Sequence, residues 1–525
     1  VVCIESVVLK ILTPEQMNAV DRATVDAGIP GLILMETAAA RCVEYLAERF
    51  APLEAHSILV VCGKGNNGGD GLAIARQLHI RFKARELRVV LICDPAELKG
   101  DAAANLAMLR ASGLQEFREF GPEMRTTTLV IDAVLGTGLK GAATGAAANA
   151  IREINGAFPF AKVFAVDLPS GLSGSTGEVP GGHVRADATV TFTAPKVCHA
   201  LPPARNLMGD LRVAQIGSPQ SLYEDDPAIQ LALIAPAELR PLFRPRVRDG
   251  NKGRYGHVLM VAGSRGKSGA AAMAGLAALR AGAGLVTVAC PASALPSVAA
   301  YCPELMTEPL PETGSGVLSA AALERIVELA EKRSVVAIGP GIGTEEETRD
   351  VVLRLFRQLK KPMVVDADAL NCLAGQAWGR DHQALRVLTP HPGEMSRLAG
   401  VGIPEIQADR LSAARSFATQ RDVTLVLKGE GTLLAFPDGR VWVNTTGSPA
   451  MATGGTGDIL TGMVSGLLAQ FPDDAERAIA AAVWLHGRAG ELAATAGSEQ
   501  TVIATDLLRH LAEAIRGITN IPHAL

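Results

Sequence analysis

Short apolar runs recur along the whole chain, each ending in a polar or glycine-rich turn that leads into a segment of helical periodicity. In the first half they lie at 57–62, 87–93, 129–132 and 163–167; in the second at 257–263, 285–289, 335–338, 362–366 and 423–427. Continuous apolar runs of this length read as strands buried on both faces, and the strand–turn–helix repeat predicts largely parallel α/β sheets. Helices are expected at 32–50, from Leu72 onward, and at 100–112, 269–279 and 459–469. Thr13-Pro14-Glu15-Gln16 supplies an N-cap, a proline at the first helical position and a glutamine two residues further on, a helix start. Segments 188–194 and 209–216 read as edge strands, with Lys196 and His199 in a proline-flanked, solvated loop between them. Residues 239–252 hold two prolines and a cluster of arginines without apolar periodicity. The expected organisation is therefore a domain at 1–230, a linker at 231–250 and a second domain at 251–525.

Composition narrows the function classes. A net charge of −4 without a long basic run argues against nucleic acid or an anionic membrane surface as partner. The uncharged stretch 281–303 is broken by Gly284, Pro291, Ser293 and Pro296, so no membrane span is expected. The start carries Glu5 and Lys10 and lacks an Ala-x-Ala-like cleavage site, so no signal peptide is expected either. Eight scattered cysteines without a Cys-x-x-Cys pair read as small buried residues in a reducing, cytoplasmic setting.

Candidate chemistry collects at the turns. Gly63-Lys64-Gly65-Asn66-Asn67-Gly68-Gly69-Asp70-Gly71 follows a strand and opens a helix, the setting of a dinucleotide loop, with a tight turn of capping polar residues as the alternative. Asp132 and Asp167 each end a strand, and Gly136-Thr137-Gly138-Leu139-Lys140-Gly141 adds a second anion cradle. Ligands of open parallel sheets gather at such strand ends, so Asp70, Asp132 and Asp167 are expected to face one crevice.

In the second half, Gly447-Ser448-Pro449-Ala450-Met451-Ala452-Thr453-Gly454-Gly455-Thr456-Gly457-Asp458 places small residues at a helix start. Exposed N–H groups and the helix dipole make such a loop an anion site. Asp458 reads either as a base that deprotonates a hydroxyl beside a transferring phosphoryl group or as a helix cap. Glycines at Gly339-Pro340-Gly341-Ile342-Gly343, acids at Asp366 and Asp368, the His391/Glu394 pair and Lys428-Gly429-Glu430-Gly431-Thr432 mark further strand ends. His391 alone also fits a structural histidine.

These motifs carry a resemblance. Gly65 through Gly71, Asp132-Ala133-Val134-Leu135-Gly136-Thr137-Gly138 and Asp167-Leu168-Pro169-Ser170-Gly171 resemble the NAD(P)H-hydrate epimerase family, over about 12–219. That family has a Rossmann-like fold and interconverts the C6 epimers of hydrated NADH and NADPH. The resemblance implies that Asn66, Asn67, Gly68, Gly69, Asp70, Gly136, Thr137, Gly138, Leu139, Lys140, Gly141, Ala142 and Asp167 contact the hydrated dinucleotide, with Asp167 as acid–base residue. It further implies that Asn67, Asp132 and Ser170 hold a potassium ion.

Residues 255–515 resemble the NAD(P)H-hydrate dehydratases of the ribokinase-like fold. That implies removal of water from the S epimer, driven by ADP or ATP, with magnesium accompanying the nucleotide. By this resemblance Ala262, Gly341, His391 and Asp458 line the hydrate site, and Lys428, Gly429, Glu430, Gly431, Thr432 and Gly457 bind the nucleotide. It also implies a homo-oligomer. A small-molecule kinase with an accessory domain explains the second half alone, and a dinucleotide sensor leaves Asp458 and Lys428 without a task.

Overall fold

The computed structural model describes residues 9–82 and 84–519. The remaining terminal residues, which the expected domain bounds include, and Glu5 with them, lie outside the described residues. Two compact units meet in sequence at Leu231 and Ala232.

In the first unit the strands of the central sheet are β1 (Ser57–Cys62), β2 (Glu86–Leu91), β3 (Glu116–Phe117), β4 (Leu129–Ala133), β5 (Lys162–Val166), β6 (Ala188–Phe192) and β7 (Asp210–Ala214). They form one seven-stranded sheet in the order β3-β2-β1-β4-β5-β6-β7. Every neighbouring pair is parallel. The apolar runs are continuous because both faces are covered. Ile58, Val60, Val89, Leu129, Ile131 and Phe164 pack on one side with helices Gly31–Arg49, Asn66–Arg81 and Gly100–Ala111. Leu59, Val61, Val90, Val130 and Val163 pack on the other with helix Gly145–Gly156. This is a three-layer, Rossmann-like arrangement. The chain turns one way from β1 to β2 and the other way to β4, which leaves a crevice beyond their C-terminal ends.

Helix Pro14–Asp26 begins as the sequence predicts: Gln16 N donates to Thr13 Oγ1 at 3.3 Å, and Thr13 N donates back to Gln16 Oε1 at 2.9 Å. One expectation is corrected. Strand Ala188–Phe192 lies between β5 and β7, so only its successor is an edge. Its small and β-branched residues are all buried, because packing on both faces, not sequence position, decided its place.

In the second unit the strands beyond residue 250 are β8 (His257–Val261), β9 (Leu285–Pro291), β10 (Met306–Leu310), β11 (Val335–Ile338), β12 (Met363–Val365), β13 (Arg386–Leu388), β14 (Thr424–Leu427), β15 (Leu433–Ala435) and β16 (Val441–Val443). They run in the order β10-β9-β8-β11-β12-β13-β14-β15-β16. All are parallel up to β14, and β15 and β16 add an antiparallel ribbon. The same reversal recurs here, between β8 and β11. Val258, Met260, Val286, Val288 and Ala337 pack with helices Ser268–Arg280 and Thr456–Gln470, while the alternate residues Leu259, Val261, Val336 and Ile338 are buried as well. Within 231–250, Ile234, Leu239 and Leu242 join this unit's core, and 244–250 carry no helix or strand.

Among the described residues, positive φ at non-glycine residues falls on Asp167 (67°), Thr193 (64°), Ala367 (51°) and Asp422 (58°). Asp167, Thr193 and Ala367 stand just beyond the C-terminal ends of β5, β6 and β12. Strain of this kind persists only where surrounding contacts over-determine the backbone.

Candidate active sites

In the first unit, Gly63 N donates to Ala133 O at 3.0 Å and ties the end of β1 to the end of β4. A Cβ on Gly68 would stand 1.9 Å from Gly63 O, so the turn closes only with glycine there. The first turn of helix Asn66–Arg81 therefore faces the crevice with N–H groups that have no intrahelical acceptor. Asn66 is exposed, while Asn67, Gly68, Gly69 and Asp70 are buried. Gly136 lies against the Asn67 side chain, and the loop continuing through Thr137, Gly138, Leu139, Lys140, Gly141 and Ala142 runs along the surface.

Asp132 is fully buried. Its carboxylate accepts from Ser170 Oγ at 2.6 Å, Ser170 N at 2.8 Å and Val134 N at 3.3 Å. Burial pushes its carboxyl up to about 6 even so, against those hydrogen bonds. Both polar atoms of the Asn67 amide are buried without a hydrogen-bond partner. An orphaned amide of this kind is costly unless something unseen satisfies it.

Asp167 is 9% exposed and stands at the far side of the same sheet edge. The structure overturns the solvated-loop reading of its neighbours. Lys196 is 2% exposed and His199 1%. Lys196 Nζ donates to Asp167 Oδ1 at 2.8 Å, Thr191 Oγ1 at 2.9 Å and Phe192 O at 3.1 Å, which uses all three ammonium protons. The prolines flanking Lys196 carry the chain back under the sheet edge, and β6 being an inner strand puts Thr191 beside Asp167 at 2.9 Å. Burial raises the Asp167 carboxyl, but the Lys196 charge and hydrogen bond outweigh it, so the net position is below the ordinary value. Asp70 behaves oppositely: burial first, then the negative charge of Asp167, push it well above the ordinary range. Two carboxyls in one crevice are thus driven apart, the pattern of an acid and a base.

In the second unit, Gly263 N donates to Pro340 O at 2.7 Å, and Ser264 Oγ donates to Gly341 O at 2.7 Å. These bonds join the loops after β8 and β11 and place buried Ala262 beside Gly341. A Cβ on Gly339 would fall 1.8 Å from Asp366 O. Asp366, 1% exposed, accepts from Lys428 Nζ at 2.9 Å and from Thr461 Oγ1 at 2.6 Å. Glu394 Oε2 stands 3.7 Å from the same ammonium. Burial opposes the charge on Lys428, but Asp366 and Glu394 overcome it and raise the lysine above its usual value.

His391 caps helix Pro392–Ala399: its Nδ1 accepts from Gly393 N at 3.0 Å, and His391 N donates to Glu394 Oε2 at 2.8 Å. The ring remains about half exposed and holds its Nε2 3.5 Å from Glu394 Oε1. The loop Gly429-Glu430-Gly431-Thr432 is closed by Thr432 Oγ1 on Gly429 O at 2.9 Å. Arg410, absent from the sequence reading, donates to the carbonyls of Leu427 and Lys428 at 3.3 Å and to that of Glu430.

Asp458 occupies the third position of helix Thr456–Gln470, whose N-cap, Gly455, has φ 95° and makes no side-chain capping bond. Asp458 is therefore not the N-cap, and it stands in the first turn, where the helix dipole favours its charged form. Burial and the nearby charge of Asp366 push it up to about 6, against the pull of Lys428. Gly457 lies directly over the ion pair; a Cβ there would be 3.4 Å from Lys428 Nζ and 3.8 Å from Asp366 Oδ2.

Comparison with known proteins agrees with both halves. The family model described as NAD(P)H-hydrate dehydratase matches residues 258–513, and that of the YjeF-related protein N-terminus matches 31–198. The bifunctional NAD(P)H-hydrate repair enzyme Nnr of Moorella thermoacetica is 42% identical over 522 residues, 97% of each chain. Its namesake in Escherichia coli is 36% identical over 88% of this chain and 86% of that one. A solved ADP/ATP-dependent NAD(P)H-hydrate dehydratase of Bacillus subtilis, co-crystallised with ATP and Mg2+, is 33% identical, covering 55% of this chain and 98% of that one with a TM-score of 0.49. With a relative this similar spanning nearly the whole sequence, the chain belongs to the family of bifunctional NAD(P)H-hydrate repair enzymes.

Proposed function

We propose that the first unit interconverts the R and S epimers of hydrated NADH and NADPH, and that the second dehydrates the S epimer with ADP, releasing AMP and phosphate. The observation that carries this reading is Asp458: a carboxylate held near neutrality on a helix N-terminus, without a capping task. Hydroxide leaves poorly, so the ring hydroxyl needs activation. Asp458 takes the C6 hydroxyl proton, and the oxygen attacks the terminal phosphoryl group of the nucleotide. The N–H groups of the Gly455–Gly457 turn face the charge that develops there. Phosphate then leaves C6, pushed by the ring nitrogen, and loss of a C5 proton restores the dihydronicotinamide. ATP serves in the same way, with ADP as the product.

Lys428, Gly429, Glu430, Gly431, Thr432 and Gly457 frame the nucleotide, and Ala262, Gly341 and His391 frame the hydrate. Magnesium would enter with the nucleotide and offset the charge of the transferring phosphoryl group, while Asp366 and Glu394 stand beside Lys428. In the first unit the orphaned Asn67 amide, buried Asp132 and Ser170 Oγ form a hard oxygen set that fits potassium. A potassium ion held there would supply positive charge to the site. Asp167 moves the proton on the C6 hydroxyl as the ring opens and recloses.

The test is recovery of reduced-nicotinamide absorbance from both NADHX epimers, with ADP, ATP or no nucleotide. Complete, nucleotide-dependent recovery supports both activities together. Recovery that stalls at the S fraction removes the epimerase reading, and no recovery at all favours a small-molecule kinase.

A further inference from the structure

Lys196 and His199 belong to no motif named above, yet they are the polar groups most tightly built around Asp167. Three features make them a brace. The Lys196 ammonium spends its three protons on Asp167, Thr191 and the Phe192 carbonyl, and Thr191 Oγ1 in turn donates to Asp167 Oδ1 at 2.9 Å, closing a triangle. Next, Lys196 N donates to His199 Nδ1 at 2.8 Å. That bond places the imidazole proton on Nε2, which lies 3.0 Å from Asp167 O and donates to it. Finally, Asp167 holds φ at 67°, a conformation its own side chain disfavours. One side chain therefore grips the carboxylate and another grips the carbonyl of the same strained residue.

We infer that Lys196 is a positioning residue for epimerisation, holding Asp167 ionised and aimed into the crevice, with Thr191 and His199 completing the brace. The inference rests on the epimerase reading of the first unit. A buried aspartate without a cation would take up a proton and lose its function as a base. Among the described residues, the titratable groups facing the pair are Asp21 from helix Pro14–Asp26, Cys42 from helix Gly31–Arg49, Asp70 from helix Asn66–Arg81, and Cys198 and His199 from the turn Val197–Ala200. The negative charge of Asp167 raises the carboxyls of Asp21 and Asp70, and burial moves His199 down to about 4 and Cys198 up to about 12, so the last two stay neutral at pH 7. Lys196 is thus the cation that can compensate.

The experiment is the pH dependence of epimerase kcat/KM for the wild type, Thr191→Val and Lys196→Met, with dehydration of S-NADHX by the same full-length chain measured beside it. The expected result is an acid limb displaced upward by more than one pH unit in Lys196→Met, with the lost rate recovering as pH rises above that limb, and a smaller displacement in the same direction in Thr191→Val. Should Lys196→Met fail to fold, the limb of Thr191→Val decides alone. Limbs that stay in place, whatever the loss of rate, would reduce Lys196 to a structural residue and overturn the inference. A wild type that does not epimerise faster than the spontaneous reaction would instead overturn the epimerase reading, and this inference with it.

Discussion

The ammonium of Lys428 lies 2.9 Å from Asp366 Oδ1, beneath Gly457, in a pair whose aspartate is buried and whose lysine is 20% exposed. Removing one partner of a buried pair leaves the other charge uncompensated, which costs about 3–5 kcal/mol. Lys428→Met is therefore expected to destabilise the second unit by that order. Adding Asp366→Asn to it should restore part of the loss, since the orphaned charge goes too. Urea unfolding of the two variants checks this; a double variant no more stable than the single one would show that Asp366 is not the partner that matters.

Asp458→Asn should abolish dehydration and leave epimerisation intact. In the wild type, dehydratase kcat/KM should fall about tenfold per pH unit below about 6, where the base becomes protonated. The stability sign is the reverse of the usual aspartate. Its value in the fold is raised, so the protonated form is favoured there, and the fold loses stability as pH rises through about 6. Asp458→Asn should accordingly raise Tm at pH 8 and change it little at pH 4. Equal loss of both activities would sink the division of labour between the units.

Replacing potassium by choline at constant ionic strength should slow epimerisation by about tenfold or more and leave dehydration unchanged, the order of loss that follows when a metal site is disturbed. Asn67→Ala should abolish the difference between the two salts, since its amide oxygen is the donor otherwise left unpaired. Thermal unfolding of the first unit in each salt gives a second readout: the wild type should show a potassium-dependent rise in Tm that Asn67→Ala lacks.

Gly68→Ala should separate the two activities by packing alone. Its methyl group would meet Gly63 O at 1.9 Å, so the turn from β1 into helix Asn66–Arg81 must open. Overpacking of this kind costs about 1–3 kcal/mol or more. Epimerase activity should be lost while dehydration survives, and circular dichroism should show a folded protein with a lower first transition.

Much of the architecture was legible because strands buried on both faces leave unbroken apolar runs, as at Ser57–Cys62 and Val335–Ile338, and glycine turns punctuate them. The capping box at Thr13 and Gln16 needed no tertiary information at all. The loops holding Asn66 to Asp70, Gly341 and Asp458 could be placed at strand or helix ends for the same local reason.

Chain-distant pairing was not legible. Asp366 and Lys428 stand 62 residues apart, and Thr461 lies 95 residues beyond Asp366, on helix Thr456–Gln470. Lys196 misled because its prolines signal a loop, and a local window cannot tell a loop that returns under a sheet edge from one that faces water. Nor did the sequence mark Arg410, whose guanidinium closes the carbonyl loop after β14 from a separate helix. By itself, then, the sequence determined the element types, their parallel arrangement and the residues at the strand ends, because these follow from local periodicity and turn chemistry. Only the tertiary structure decided which of those polar groups are buried, which share a charge and which are left unpaired, because burial and Coulombic pairing depend on neighbours that the fold, not the chain order, brings together.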